Sequence, residues 1–217
     1  MISDLFSSPL VFIIELFCLL VAITIHEFSH AWAADYLGDP TSRLQGRLSF
    51  NPLVHIDNIG MIFLLLFGFG WGKPVQFDPY NLKDPRKDAA IISIAGPSSN
   101  LILAIILSLL MRLFILLQLN FLIIIGSIIL IPLIKMNIVL GVFNLLPIHP
   151  MDGFKIVGGI LPEEKAHEWY QLQKYGMIFL ILLIFPINGS SLLNVIIQPV
   201  INFISNLLIV MPKTGII

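Results

Sequence analysis

The chain has 217 residues, 57% of them apolar even without glycine and only 12% charged, about half the charged share of an ordinary soluble domain. That balance excludes a water-soluble single domain and a disordered chain alike. Twelve Lys and Arg against thirteen Asp and Glu leave a formal net charge of -1, so the electrostatic footprint of a nucleic-acid binder is missing. The single cysteine, Cys18, cannot form an internal disulfide.

The first apolar run, Pro9 to Ile25, is interrupted only by Glu15 and Thr24, and its helical pattern continues through HEFSHAWAADY to Tyr36. The residues before it carry Asp4 and no Lys or Arg, the wrong sign for a cleaved leader. From Leu37 to Asp88 turn residues recur every few positions. Inside that stretch, residues 60–70 read GMIFLLLFGFG, too short a run to span. Its bracketing glycines predict a re-entrant, β-hairpin-like segment between the first two spans, packed against protein or a wet cavity rather than lipid.

A second span is expected over 89–118 and a third over 120–146, the latter interrupted by Pro132 and the polar pair Lys135 and Asn137. Beyond the polar stretch 147–175, the apolar runs 176–187 and 192–211, separated by NGSS, predict a terminal helical hairpin. The expected fold class is therefore an all-α polytopic membrane protein with about five transmembrane helices. Nine of the twelve Lys and Arg fall in the two polar regions, which places those regions in the cytoplasm and the N-terminus outside. Trp32, Trp71 and Trp169 lie at the edges of these regions, where an interfacial aromatic belt belongs.

The polar residues near the end of the first span carry the chemistry. In HEFSH, His26 and His30 are four apart, so on a helix they project from one face about 6 Å apart along the axis. That spacing suits two imidazole ligands on one zinc ion, with Glu27 beside the metal to take a proton from water. Ionisable groups at the end of an apolar run are costly and default to a functional reading. A catalytic zinc usually has three protein ligands, and Asp152 in NLLPIHPMDG is the best third one, since a carboxylate near bilayer depth requires a partner. His55 and Asp57 in NPLVHID are alternatives to it. Glu15 lies eleven residues before His26, about 16 Å away along the helix axis, too far to share the metal. Lys135 either pairs with Glu15 or snorkels to water.

HEFSH at the end of the first helix, NPLVHID after it, AGPSSN at the start of the next span and FNLLPIHPMDG further on together resemble the site-2 protease family of intramembrane zinc metalloproteases. The similarity covers most of residues 9–160. It implies a three-helix catalytic core, one Zn2+ per chain held by His26, His30 and Asp152, Glu27 as general base, and Asn144 as a residue that holds the substrate backbone or the developing oxyanion. The short chain resembles the minimal branch without PDZ or other appended domains. The organisation expected on this basis is one integral-membrane peptidase domain over 1–217, with a catalytic core at about 9–160 and a C-terminal helical hairpin at about 168–212.

His149 departs from the family pattern, standing where a proline is usual. It is expected to be either a tolerated interfacial variant or a group close enough to touch substrate or tune the metal site. His167 is expected on the exposed face of an amphipathic helix. The partners implied are a transmembrane protein or peptide substrate and the lipid bilayer of a prokaryotic plasma membrane, with the active site toward the cytoplasmic side. A catalytically inactive membrane scaffold and an ion or metal transporter are the competing classes. Internal repeats, which would favour a transporter, are absent from the sequence.

Overall fold

The structure is a computed structural model that describes residues 7–67, 70–187 and 190–210. Helix α1, Pro9–Tyr36, opens with proline at its first turn, where the missing N–H costs nothing. A short helix α2, Thr41–Leu44, and a 3₁₀ turn, Pro52–Val54, lead to helix α3, Asn58–Phe67. After a second 3₁₀ turn, Pro79–Asn81, comes α4, Pro85–Leu116. Asp84 caps α4 by accepting the Lys87 N–H, and Asp88 accepts the Asp84 N–H in return. Helix α5 runs Asn120–Asn144, followed by α6, Asp152–Ile160, and α7, Glu163–Gln171. Helix α8, Gln173–Ile184, is joined to α9, Leu192–Leu208, through a two-residue antiparallel ladder of β1, Pro186–Ile187, with β2, Ser190–Ser191.

Among the described residues, three helices are long and apolar enough to cross a membrane: α1, α4 and α5. At 1.5 Å per residue they extend roughly 42, 48 and 37 Å, more than the ~30 Å hydrocarbon core. Their exposed faces carry side chains such as Phe17, Ile105, Leu109 and Phe121, a surface suited to lipid rather than water. Pro97 and Pro132 are accommodated within α4 and α5, as neighbouring helices permit in membrane bundles.

Two sequence expectations can be set against the structure. The first is the segment between the first two long helices. Its outgoing arm is the helix α3 rather than a strand, and the loop is closed at its base by an antiparallel bridge between Ile56 and Gly72 and by the Lys73 N–H donating to His55 O at 2.8 Å. The returning chain lies directly on α3, since a Cβ at Gly60 would stand 2.1 Å from Trp71 O. The apolar composition of the run favours a helix here because a lone strand would leave its backbone groups unpaired. Gly68 lies outside the described residues.

The second is the terminal hairpin. Helix α8 starts beside the α5–α6 connection, where a Cβ at Gly176 would touch His149 Cβ at 2.5 Å. Helix α9 ends at the opposite end of α4, where Ser108 Oγ donates to Leu208 O and Arg112 Nη2 to Leu207 O, at 2.5 and 2.7 Å. The antiparallel pairing of β1 with β2 joins the two helices. Leu193, Ile197 and Ile201 of α9 share one apolar cluster with Ala104 of α4 and Ile134, Ile138 and Val142 of α5. Residues 188–189 of the connecting turn, and 211–212 at the end of the expected hairpin, lie outside the described residues.

Candidate metal centre

His26 and His30 lie one turn apart on α1 and are 4% and 7% exposed. Their imidazoles press against the backbone of α4 at Gly96, where a Cβ would stand 2.4 Å from His30 Nε2 and 2.7 Å from His26 Cε1. The glycine of AGPSSN therefore makes room for the two rings. Asp152 reaches them from the first position of α6. That helix begins tight under the end of α5, because a Cβ at Gly153 would be 2.3 and 2.4 Å from the carbonyl oxygens of Leu145 and Leu146. The Asp-Gly pair is thus set by this close approach, with the aspartate at the mouth of the helix and the glycine against its neighbour's carbonyls.

Three potential ligand atoms meet at one point. His26 Nε2 and His30 Nε2 are 3.0 Å apart, and each lies close to Asp152 Oδ2, at 3.1 and 3.2 Å. No other described His, Cys, Asp or Glu joins this group.

The partners of the other ring nitrogens decide what the cluster can hold. His30 Nδ1 is 2.7 Å from Ile92 O, and a carbonyl only accepts, so the ring proton is on Nδ1. His26 Nδ1 is 2.7 Å from Asn100 Oδ1. The identity of that amide atom is fixed by a relay in which Asn100 Nδ2 donates to Ala22 O and to Asn137 Oδ1, while Asn137 Nδ2 donates to Leu133 O. In its neutral form each imidazole therefore carries its proton at Nδ1 and turns an Nε2 lone pair toward the carboxylate.

Three lone-pair donors facing one another at 3.0–3.2 Å repel unless a cation lies between them. A tetrahedral zinc with bonds of about 2.0–2.1 Å separates neighbouring ligand atoms by about 3.3–3.4 Å, a few tenths from what is observed. The residues fit the metal, and the Asn100 and Ile92 partners supply the outer contacts that orient metal-binding histidines.

Glu27 stands outside the ligand triangle. Its Oε2 accepts the Val75 N–H at 3.1 Å and lies 3.8 Å from Arg47 Nη2. Arg47 is 3% exposed and also donates to Val54 O and Lys73 O. This buried guanidinium ties together the two strands of chain that flank Glu27, and the carboxylate offsets its desolvation.

The triad and Glu27 open onto one cavity of about 830 Å³ with largely apolar walls from α1, α3, the 70–77 segment and α8, among them Ile23, Met61, Trp71, Leu180 and Ile184. Asn144 lines the same cavity. It donates one amide hydrogen back to Leu140 O at 3.0 Å, which leaves its second hydrogen for a ligand.

The other sequence candidates stay outside the ligand group, although His55 lines the cavity. His55 is fully buried, donates from Nε2 to Ser49 O at 2.7 Å and is absent from the ligand group. Burial, together with the nearby Arg47 charge, holds its pKa below the usual histidine value. Asp57 accepts the Gly60 N–H at 2.8 Å and caps α3. His149 packs on Phe154 with ring centroids 5.8 Å apart and does not line the cavity. His167 is exposed on α7, and Lys135 is exposed without an ion pair to Glu15 among the described residues.

Sequence reasoning missed Asn100, Asn137 and Arg47 as parts of the site. An asparagine in the middle of an apolar span was the available signal for Asn137, since an amide there needs a buried partner.

The comparisons agree with this geometry. A 39% identical relative from Bacillus subtilis, named "Putative zinc metalloprotease YwhC", aligns with 81% of this chain and 81% of its own. A protein of Mycolicibacterium smegmatis named "Putative zinc metalloprotease Rip2" is 29% identical over 81% of this chain and 68% of its own, and its namesake in Mycobacterium tuberculosis strain H37Rv is 27% identical over 80% and 67%. No solved structure gives a significant match. The sequence profile described as "Peptidase family M50" matches residues 14–122, half of the chain and the part that carries both histidines and Glu27. Family, relatives and the three facing lone pairs all make Zn2+ the metal, and this membrane protein belongs to peptidase family M50, the site-2 protease family its motifs resemble.

Proposed function

We propose that this protein is an intramembrane zinc endopeptidase that hydrolyses a peptide bond of a membrane-spanning protein or peptide. The observation that carries the reading is the placement of a metal-fitted triad and a separate carboxylate, Glu27, together in one apolar cavity. His26 is seventeen residues along α1 from Pro9, roughly 26 Å from its start, so the cavity lies at membrane depth and closer to the end bearing the polar regions.

Held by His26, His30 and Asp152, zinc would polarise the scissile carbonyl and make water acidic enough to attack near neutral pH. Glu27 takes the proton from the attacking water and returns it to the leaving amine nitrogen. The Val75 N–H and Arg47 hold the Glu27 carboxylate in place for both transfers. The free amide hydrogen of Asn144 binds the carbonyl oxygen as charge develops on it. The apolar walls limit water to what the reaction consumes.

The chain crosses as α1, α4 and α5, with α8 and α9 as the terminal helical hairpin and α3 with residues 70–76 as a re-entrant loop. The N-terminus is outside and the site faces the cytoplasm of a prokaryotic cell, an orientation that the distribution of Lys and Arg supports. One peptidase domain covers the chain.

The test is a single-span reporter in liposomes. Wild-type protein with about one zinc per chain cuts it, and E27Q keeps the zinc but loses the cut. Wild-type cleavage by E27Q would refute the mechanism, and zinc binding without any cleavage by wild-type protein would favour the inactive scaffold.

A further inference from the structure

The metal cavity has a second, smaller neighbour. A groove of about 350 Å³ lies between the 77–79 segment, the start of α4 and helices α6 and α7, and Phe77 and Lys155 line both spaces. The groove continues from the site toward the polar end of the bundle, since Arg86 and Ala89 precede Ile92, whose carbonyl holds His30. Its charged lining is Arg86 and Lys155, with no carboxylate. Arg86 spends one N–H on Leu161 O. Lys155 makes no ion pair among the described residues, and its ammonium rests 5.2 Å from the centroid of the Phe77 ring, a contact that leaves its charge available.

We propose that this groove receives the cytoplasmic flank of the substrate and that Lys155, with Arg86, selects an acidic side chain there. The proposal rests on the protease reading and adds a substrate class to it. Charge complementarity names the occupant: two cations and no anion line a passage that shares two walls with the metal cavity. The distance is consistent with a residue near the cut. Lys155 follows Asp152 by three residues, about one helical turn, and its side chain adds about 6 Å, together the reach of about two to four residues of extended chain at 3.3 Å each. An acid closer to the cut would meet Glu27 and Asp152, so the preference has a position as well as a sign.

The experiment uses zinc-loaded, full-length protein in phosphatidylcholine liposomes, with single-span reporters carrying Asp, Asn or Lys at each of the second to fourth residues on the cytoplasmic side of the cut. Wild-type protein is expected to favour Asp over Lys in kcat/KM by about tenfold, the size of a charge-assisted contact partly screened by water. K155E reverses the order, while K165E, on the exposed face of α7, keeps it. The same order in wild type and K155E, or a ratio near one, overturns the proposal. Adding phosphatidylglycerol separates a lipid headgroup from the substrate as occupant. A rate that depends on this lipid in wild type but not in K155E, with the substrate order unchanged, assigns the groove to lipid and also overturns it. Failure to cut any reporter refutes the protease reading itself, whereas uniform cutting refutes only the charge selection.

Discussion

Replacing Gly96 with alanine tests how the site is built. The new Cβ would stand 2.4 Å from His30 Nε2, 2.6 Å from His30 Cε1 and 2.7 Å from His26 Cε1, against ordinary contacts of 3.4–4 Å. Both imidazoles must then retreat by roughly 1 Å, or α1 and α4 must part, and overpacking of this kind costs about 1–3 kcal/mol. Because the retreat acts on the two atoms that face the metal, the cost falls on zinc binding, which weakens by about 5- to 150-fold. The assay is a zinc titration against a chromophoric chelator in detergent. Gly126→Ala is the control: its Cβ would meet Met111 Sδ at 2.8 Å, but a thioether side chain yields and lies away from the site, so zinc affinity holds. Wild-type zinc affinity in G96A would refute the claim that the rings are packed against α4 in their binding positions.

Asn100→Ala removes the acceptor of His26 Nδ1 and strands the amide oxygen of Asn137 as well, so zinc affinity is expected to fall about 10- to 100-fold and thermal stability to fall with it. Unchanged affinity in the chelator titration would show that the relay does not orient the ring. At the polar end, Asp39 is fully buried and accepts hydrogen bonds from Thr41, Asn81 and Asp78. Burial would raise its pKa, but these donors outweigh it and depress the value. The stability they provide is therefore complete above the unfolded pKa of about 3.9 and is lost as pH falls through the lower folded value. Melting curves should show D39N well below wild type at pH 6 with the gap narrowing under acid, and a gap that widens would contradict the assignment.

Much of the site is written in local sequence because its geometry is local. HEFSH places two imidazoles on one helix face by spacing alone, and Asp152 follows from the cost of a carboxylate beside an apolar span. Asn144 and the cavity it lines were reachable through the motif resemblance. The supporting residues were not, because their roles arise only when helices meet. Asn100 closes AGPSSN, but nothing within that motif says that its amide reaches across to α1. Arg47 reads as one more positive charge until the loops bearing Val54 and Lys73 are folded around it. The terminal region is legible only in part for a related reason: two apolar runs separated by a turn do not say what the second one packs on. The stripe Leu193, Ile197 and Ile201 packs on α4 and α5.

The central claim is that His26, His30 and Asp152 together hold a catalytic zinc. Zinc-edge X-ray absorption on the metal-loaded protein tests it directly. The account predicts four light ligands at about 2.0–2.1 Å with the outer-shell scattering of two imidazoles, and loss of one oxygen ligand with weakened binding in D152A. A third imidazole, a sulfur ligand, or a D152A spectrum identical to wild type would contradict it.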